Sequence, residues 1–232
     1  MSAIAPACAQ PYLGVHCDRA MAAPTNDLEL LEAWRGGDRH AGEQLFERHF
    51  DAVARFFRNK VDRGIDDLIQ RTFLACVETK DRFRGEASFR TYLFAVAHNV
   101  LGKHYRSKRR HGNRIDFGVT SVHDLAPSPS VIVAQHHEHR VLLQGLRRIP
   151  LDDQIVLELY YWEKLTAAEV GRVLDVPEGT ARTRIRKAKK RLEEQMQKLI
   201  EDKDLLESTL VNLDAWAASL RDGLLADPGS VS

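Results

Sequence analysis

A run of basic side chains lies between residues 179 and 192, which read GTARTRIRKAKKRL. Seven of these fourteen residues are lysine or arginine, and none is acidic. A charged surface helix explains the run poorly, because such helices usually carry acidic residues that pair with basic ones a turn away. Basic side chains without acidic partners can instead neutralise phosphates and reach base edges in the major groove of DNA. The run therefore predicts a DNA-binding helix.

The residues before this run supply the elements that would position it. Thr166 and Glu169 have the spacing of a capping box, which begins a short helix. The connection DVPEG follows, and its Pro177 suits the first turn of a second helix. Two short helices, a tight turn and a basic second helix predict a helix-turn-helix. We expect its core to hold apolar residues from both helices: Ala168, Val173, Leu174, Ala181, Ile185, Ala188 and Leu192.

A basic-region zipper is an alternative for the same residues. Leucines recur every seven residues behind the basic run, at Leu192, Leu199, Leu206, Leu213 and Leu220. A zipper needs an uninterrupted basic helix, whereas Pro177 and the capping box place a globular motif in front. The seam between the leucines is also weak, with the following residues: Met196, Lys203, Leu210, Ala217 and Leu224.

The C-terminal extension, residues 199–232, is both acidic and amphipathic. From Glu201 to Ser232 it carries seven carboxylates against two basic residues. Its leucines, with Trp216, form an apolar stripe too large to leave in water. Three roles stay open for it: folding back onto a basic surface, extending the preceding core, or dimerising.

Helical periodicity also dominates the first half of the chain. Apolar residues between Asp27 and Asn59 predict two amphipathic helices, separated at Gly36-Gly37. A third helix follows Gly64, with two carboxylates where a helix N-terminus favours them. Ser88 is expected to cap a fourth helix. The expected apolar faces of these last two helices are Ile69, Phe73 and Val77, and Phe89, Leu93, Val96 and Val100.

Residues 112–130 change character, because glycine, proline and serine interrupt any period. Helical patterns resume afterwards, and a helix following Pro150 is expected to place Leu151, Ile155, Leu159 and Tyr160 on one face. No convincing strand pair is present. We therefore expect an all-α protein: a tail (1–25), two small helical domains (26–111 and 131–198) joined by a flexible linker, and a C-terminal amphipathic helix.

Composition limits the function classes. The chain has 232 residues, 44% of them hydrophobic, and a formal net charge of +1, so nucleic-acid binding must rely on local segregation of charge. Residues 103–114 form a second such block, with six lysines and arginines and no carboxylate. Cys8, Cys17 and Cys76 form no CxxC pair, and no signal peptide or membrane span is evident, which favours the cytoplasm. Met21 is an alternative to Met1 as the first residue of translation.

Residues suited to catalysis or metal binding have simpler interpretations. His136 and His139 lie one turn apart without a third ligand nearby, which favours a solvated face. Asp152 and Asp153 suit the start of a helix better than an acid/base pair. No nucleophile with its base, phosphate-binding loop or cysteine cluster is present. We expect no enzyme activity, cofactor or metal.

Two longer segments resemble a known family. The first segment resembles region 2 of the extracytoplasmic-function (ECF) group of sigma-70 family RNA polymerase sigma factors; it reads DDLIQRTFLACVETKDRFRGEASFRTYLFAVAHNVLGKHYRSKRR. The second segment is similar to region 4 of the same group; it reads LRRIPLDDQIVLELYYWEKLTAAEVGRVLDVPEGTARTRIRKAKKRL. The resemblance covers roughly residues 26–198, in the order typical of the family.

The resemblance implies a sigma factor that binds core RNA polymerase, recognises −35 and −10 promoter elements and helps to open the duplex. Its implied partners are the clamp helices of the largest polymerase subunit, the flap of the second-largest subunit, promoter DNA and an anti-sigma factor. Asp66, Asp67 and Gln70 match the clamp contact. The implied −10 residues are Arg84, Ser88, Tyr92, His98, Asn99, Lys103 and Arg106, and the implied −35 residues are Glu178, Thr180, Arg182, Thr183, Arg184, Arg186 and Lys187.

Aromatic residues near the −10 segment suggest how a base could be held. A flipped base needs a pocket and a stacking surface, and aromatic side chains beside basic ones suit a displaced single strand. Phe83, Phe89, Tyr92 and Phe94 are the candidates, although their helical spacing assigns at least half of them to the core. A helix-turn-helix repressor that binds DNA without polymerase is the rival function.

Several residues depart from the family's usual pattern, so the resemblance does not give the promoter sequence. The departures are Tyr92 in place of tryptophan, Ala95 and His98 in place of arginine, Lys103 in place of aspartate, and Ala181 in place of valine.

Overall fold

The computed structural model describes residues 26–83, 85–108, 116–125 and 137–199. Within these ranges the chain is helical, and one isolated bridge joins Ser121 to Pro150, so the all-α prediction is confirmed. The expected tail (1–25) and nearly all of the C-terminal extension lie outside the described residues. None of the helices in the described ranges is long and apolar enough to cross a membrane.

The helices form two bundles, which we name by their helices. The N-terminal bundle contains α1 (Asp27–Arg35), α2 (Arg39–Arg58), α3 (Ile65–Thr79), a 3-10 turn (Lys80–Arg82) and α4 (Phe89–Lys108). Between the bundles lies the short α5 (Val122–Leu125). The C-terminal bundle contains α6 (His137–Arg148), α7 (Leu151–Leu157), a π-helical turn (Glu158–Trp162), α8 (Ala167–Val173) and α9 (Glu178–Gln197).

Local signals fix where the first helices begin. Asn26 caps α1, accepting hydrogen bonds from the amides of Leu28 and Glu29 at 2.9 Å, and Asp38 caps α2 in the same way. The expected break at Gly36-Gly37 is present. At α3, Gly64 occupies the cap position with φ of 78°, so no side chain caps this helix. The two carboxylates that follow it act in the first turn, where the helix dipole favours them.

The apolar face expected for α3 is buried only in part. Ile69 is 4% exposed and Phe73 is half-buried, but Val77 is 43% exposed. The helix instead turns Leu68, Thr72 and Cys76 inward between α2 and α4. These positions follow the same four-residue spacing, rotated by one residue, so the true core face leaves Val77 at the surface.

The π-helical turn alters the face expected for α7. Leu151, Ile155 and Leu159 are fully buried, whereas Tyr160 is 36% exposed. A π-helical turn widens the helix, so residues within it, such as Tyr160, leave the register that a regular α-helix would give them. Tyr161 and Trp162 take the inward positions instead.

Part of the expected linker packs between the bundles. Phe117 lies 6.1 Å from the ring of Tyr105 in α4, and its carbonyl accepts a hydrogen bond from the amide of Asp152 in α7. Val122, in α5, is fully buried. Residues 116–125 therefore contact both bundles, because this apolar pair anchors an otherwise polar segment.

Candidate nucleic-acid interface

The helix-turn-helix begins with the predicted capping box. The Glu169 amide donates to the Thr166 hydroxyl at 3.2 Å, and the Thr166 amide donates to the Glu169 carboxylate at 2.8 Å. Burial raises the pKa of Glu169, but hydrogen bonds from Thr166, Thr91 and Ser88 outweigh this and leave the pKa below its ordinary value. The side chain is therefore a charged carboxylate at neutral pH.

A glycine makes the tight turn possible. The Val176 amide donates to the Gly171 carbonyl at 2.8 Å, which closes the turn after α8. A Cβ atom at position 171 would lie 2.7 Å from the Val176 carbonyl oxygen, closer than side-chain atoms approach. Asp175 completes the turn in the left-handed region, with φ of 54°. These contacts set the angle between α8 and α9.

We predict that Gly171→Ala destabilises the C-terminal bundle by about 1–3 kcal/mol, because the new methyl group forces the turn apart. Gly179→Ala is the matched control, since a Cβ there meets nothing within 4 Å and alanine favours a helix. Urea unfolding followed by circular dichroism would measure both. Equal stability of the two variants would show that the turn tolerates a side chain at position 171.

Helix α9 buries the predicted stripe and exposes its basic face. Ala181, Ile185, Ala188 and Leu192 are all buried, as predicted, and Met196 continues the stripe. In α8, Val173 is buried while Ala168 and Leu174 are only half-buried, and Val170 fills the core instead. The exposed residues on α9 include most of those predicted to contact the −35 element: Glu178, Thr180, Arg182, Arg186 and Lys187.

Three polar side chains of α9 are constrained by neighbours. The Arg182 guanidinium donates to the Glu178 carboxylate at 2.9 Å, one turn earlier on the same exposed face. The Thr183 hydroxyl donates to the Gly179 carbonyl at 3.0 Å. Arg184 is half-buried near Asp152, whose pKa burial raises and Arg184 partly lowers. Of the two arginines at the start of α9, Arg182 is therefore the more exposed to solvent.

The residues predicted to contact the −10 element spread along α4. Ser88 accepts a hydrogen bond from the Thr91 amide at 3.2 Å, consistent with its predicted capping role. Asn99, Lys103 and Arg106 are exposed further along the helix, while Arg84 lies outside the described residues. His98 is half-buried, and burial, together with the nearby positive charges of Lys60 and Arg106, lowers its pKa. It is therefore neutral at pH 7.

The four aromatic candidates separate into two pairs. Phe89 and Phe94 are 3% and 0% exposed, so they belong to the core. Phe83 and Tyr92 are half-buried, with ring centroids 4.9 Å apart. The Tyr92 hydroxyl hydrogen-bonds to that of Thr79. This second pair lines a cavity of about 400 Å³, which offers aromatic faces and hydroxyl groups.

The residues predicted to contact polymerase border an apolar groove that the sequence did not indicate. Asp66, Asp67 and Gln70 are exposed on α3, and Asp67 pairs with Arg71 at 2.9 Å. Asp66 and Gln70 line a groove of about 440 Å³ between α2 and α3. Its apolar lining includes three exposed residues, Phe50 (47%), Leu74 (56%) and Val77 (43%). Exposed apolar side chains grouped around polar ones are typical of a protein-binding surface.

The sequence also gave no sign of the residues of the C-terminal bundle that lie beside α4. Arg172 of α8 forms part of the wall of the Tyr92 cavity, and Glu163 and Glu169 contact α4. The predicted histidine pair lies where the structure describes no side chains. Asp153, predicted to begin a helix, does so and is buried in an ion pair with Arg191 of α9.

Comparison with known proteins assigns both bundles to one family. The family described as Sigma-70 region 2 matches residues 45–111, and the family described as Sigma-70, region 4 matches residues 139–192. The ECF RNA polymerase sigma-E factor of Haemophilus influenzae is 26% identical over 191 residues, covering 78% of this chain and all of that protein. The sigma-E factor of Escherichia coli K12 is 25% identical over 189 residues, covering 78% and 99%.

A solved structure shares the fold. The structure of CnrH in complex with the cytosolic domain of CnrY has a TM-score of 0.53 and 20% sequence identity, covering 74% of this chain and 97% of that one. Both family matches fall in the order that the resemblance predicted, and the relatives align over nearly their whole length. The chain therefore belongs to the sigma-70 family, as an ECF sigma factor.

Proposed function

We propose that this protein is a promoter-specificity subunit that binds core RNA polymerase, recognises −35 and −10 elements and promotes melting of the duplex. The exposed basic face of α9 carries the proposal, because α9 is the second helix of a helix-turn-helix, the element that enters the major groove in such motifs. We assign −35 recognition to that face, with Arg182, Arg186 and Lys187 as its cationic contacts.

The Tyr92 cavity supports the assignment of −10 recognition to α4. Phe83 and Tyr92 offer aromatic faces to an unpaired base, and the basic side chains of Lys103 and Arg106 are exposed further along α4. Sequence is then read in two ways: by hydrogen bonds in the groove at −35, and by capture of an extruded base at −10. Polymerase supplies the chemistry of RNA synthesis, and this chain acts as a regulatory initiation factor in the cytoplasm.

The apolar groove on α3 supports a protein partner at the N-terminal bundle. We assign it to the clamp helices of the polymerase largest subunit, with Asp66, Asp67 and Gln70 at its polar edge. The C-terminal bundle would contact the flap of the second-largest subunit. The structure of CnrH includes the cytosolic domain of CnrY, and by analogy we propose that an anti-sigma factor binds this chain when it is free.

In vitro transcription tests this function. Purified chain added to core polymerase over a library of promoters should produce transcripts that start at a common pair of −35 and −10 sequences. A helix-turn-helix repressor would instead bind duplex DNA alone and give no transcripts. Binding of a defined duplex without association with core polymerase would overturn the sigma-factor function.

A further inference from the structure

The C-terminal bundle lies against the face of α4 that we assign to the −10 strand. Helix α8 packs directly on α4. The hydroxyl groups of Ser88 and Thr91, in α4 and its cap, both donate to the Glu169 carboxylate, at 3.4 and 3.2 Å. Arg172, one turn along α8, closes one side of the Tyr92 cavity. A single strand entering this cavity would meet α8.

Ion pairs hold the two bundles together beside this contact. Glu163, 4% exposed, pairs with Arg55 of α2 at 3.3 Å and with Arg90 of α4. Lys60 is fully buried and donates to the Glu158 carboxylate and to the Phe56 carbonyl. Burial lowers the pKa of Lys60, and the charge of Glu158 opposes this. In these pairs the C-terminal bundle supplies the carboxylates and the N-terminal bundle the cations. A further pair, between Arg147 of α6 and Asp62 at 3.2 Å, has the opposite polarity.

The buried ion pairs in this contact favour its release. Removing two charged groups from water costs nearly as much free energy as their attraction provides once they are buried. A contact built on ion pairs is therefore less stable than an apolar one of similar area.

The carboxylates occupy positions that suit phosphate oxygens. Arg90, Ser88 and Thr91 present one guanidinium and two hydroxyl groups on the α4 face, and each donates to a glutamate oxygen. Serine, threonine and arginine are common phosphate ligands in protein–DNA complexes. A DNA strand on this face would compete with both glutamates and be repelled by their charge. Arg182, Arg186 and Lys187 on α9 are exposed in this arrangement.

We propose that Glu163 and Glu169 act as phosphate mimics, with which the C-terminal bundle closes the single-strand site of its own N-terminal bundle. The free factor is then held inactive at the −10 site while its −35 helix remains accessible. Opening requires the ion pairs of Glu163, Glu158 and Arg147 to break, so that α8 leaves α4. This inference rests on the proposed function for the identity of the strand, but the closed contact is tested without it.

The test compares two double variants of the full chain with the wild type. Glu158→Gln with Glu163→Gln removes both carboxylates from the ion pairs while keeping side-chain size. Glu193→Gln with Glu194→Gln removes the same charge from the C-terminal part of α9, away from the contact. The matched charge matters, because any loss of negative charge strengthens DNA binding in general.

Small-angle X-ray scattering and hydrogen exchange would report opening, and a fluorescent single-stranded DNA of mixed sequence would report access. We expect the Glu158/Glu163 variant to have a larger radius of gyration, faster exchange in residues 88–95, and about tenfold tighter single-strand binding than the Glu193/Glu194 control, since unpaired buried cations disfavour closure. Compactness equal to the control would overturn the inference, as would opening without tighter binding. If the variant opens and binds but wild type and variant both fail to transcribe with core polymerase, the proposed function is wrong and the closed contact stands.

Discussion

Leu74→Arg should weaken binding of this sigma factor to core RNA polymerase by about 2 kcal/mol, roughly 30-fold, which is the size of an interface hot spot. Leu74 is 56% exposed and lines the groove bordered by Asp66 and Gln70. A partner helix in the groove would cover it, and a buried guanidinium without a partner is costly. Competition binding with labelled wild-type protein would measure the loss.

A matched substitution separates this effect from a general one. Val119 is 75% exposed in the turn before α5, outside the groove, so Val119→Arg makes the same chemical change away from the contact. Both variants should keep the melting temperature of the wild type, because neither residue is buried. Asp67→Arg should also weaken binding, by reversing a charge at the polar edge. If Leu74→Arg and Val119→Arg bind polymerase equally well, the groove is not the docking surface.

Local patterns in the sequence predicted the helix-turn-helix in detail. The capping box of Thr166 and Glu169 involves neighbours three residues apart, so its spacing is visible directly. The buried stripe from Ala181 to Leu192 repeats with the period of one helix and faces a single core. Features that one helix determines alone can be found without knowing the rest of the fold.

Faces that depend on a second element were predicted less well. Val77 and Tyr160 have the right spacing for their apolar faces, yet both are exposed. The packing of α3 between α2 and α4 rotates the first face, and a π-helical turn shifts the second. Neither the packing angle nor the turn leaves a distinct pattern in the residues themselves, so the apolar groove beside Val77 was missed.

The contact between the two bundles could not be predicted from the sequence. Lys60 and Glu158 are 98 residues apart, and Arg90 and Glu163 are 73 apart. Each is an ordinary charged residue on a helix, and nothing in the local pattern shows that Lys60 is fully buried. Only the three-dimensional arrangement reveals that these acidic residues of one bundle meet basic residues of the other.

Arg182→Ala should reduce promoter recognition by about 1–3 kcal/mol, or roughly 5- to 150-fold, if its guanidinium reads a base in the −35 element. Arg182 is exposed on the first turns of α9, held in position by Glu178 at 2.9 Å. Its loss should also relax the preference for one base pair of the −35 element. Arg184→Ala should cost less than Arg182→Ala, because Arg184 is half-buried near Asp152.

Two further variants distinguish base reading from charge. Arg182→Lys keeps the positive charge but loses the planar pair of donors, so it should restore affinity in low salt without restoring the base preference. Lys189→Ala, nearer the end of α9, should weaken binding to all promoters alike and lower the salt dependence by about one counterion. Transcription with core polymerase from a cognate promoter and its single-base variants at −35 would measure all four proteins. Wild-type levels from each of Arg182→Ala, Arg184→Ala and Lys189→Ala would contradict the assignment of α9 as the recognition helix.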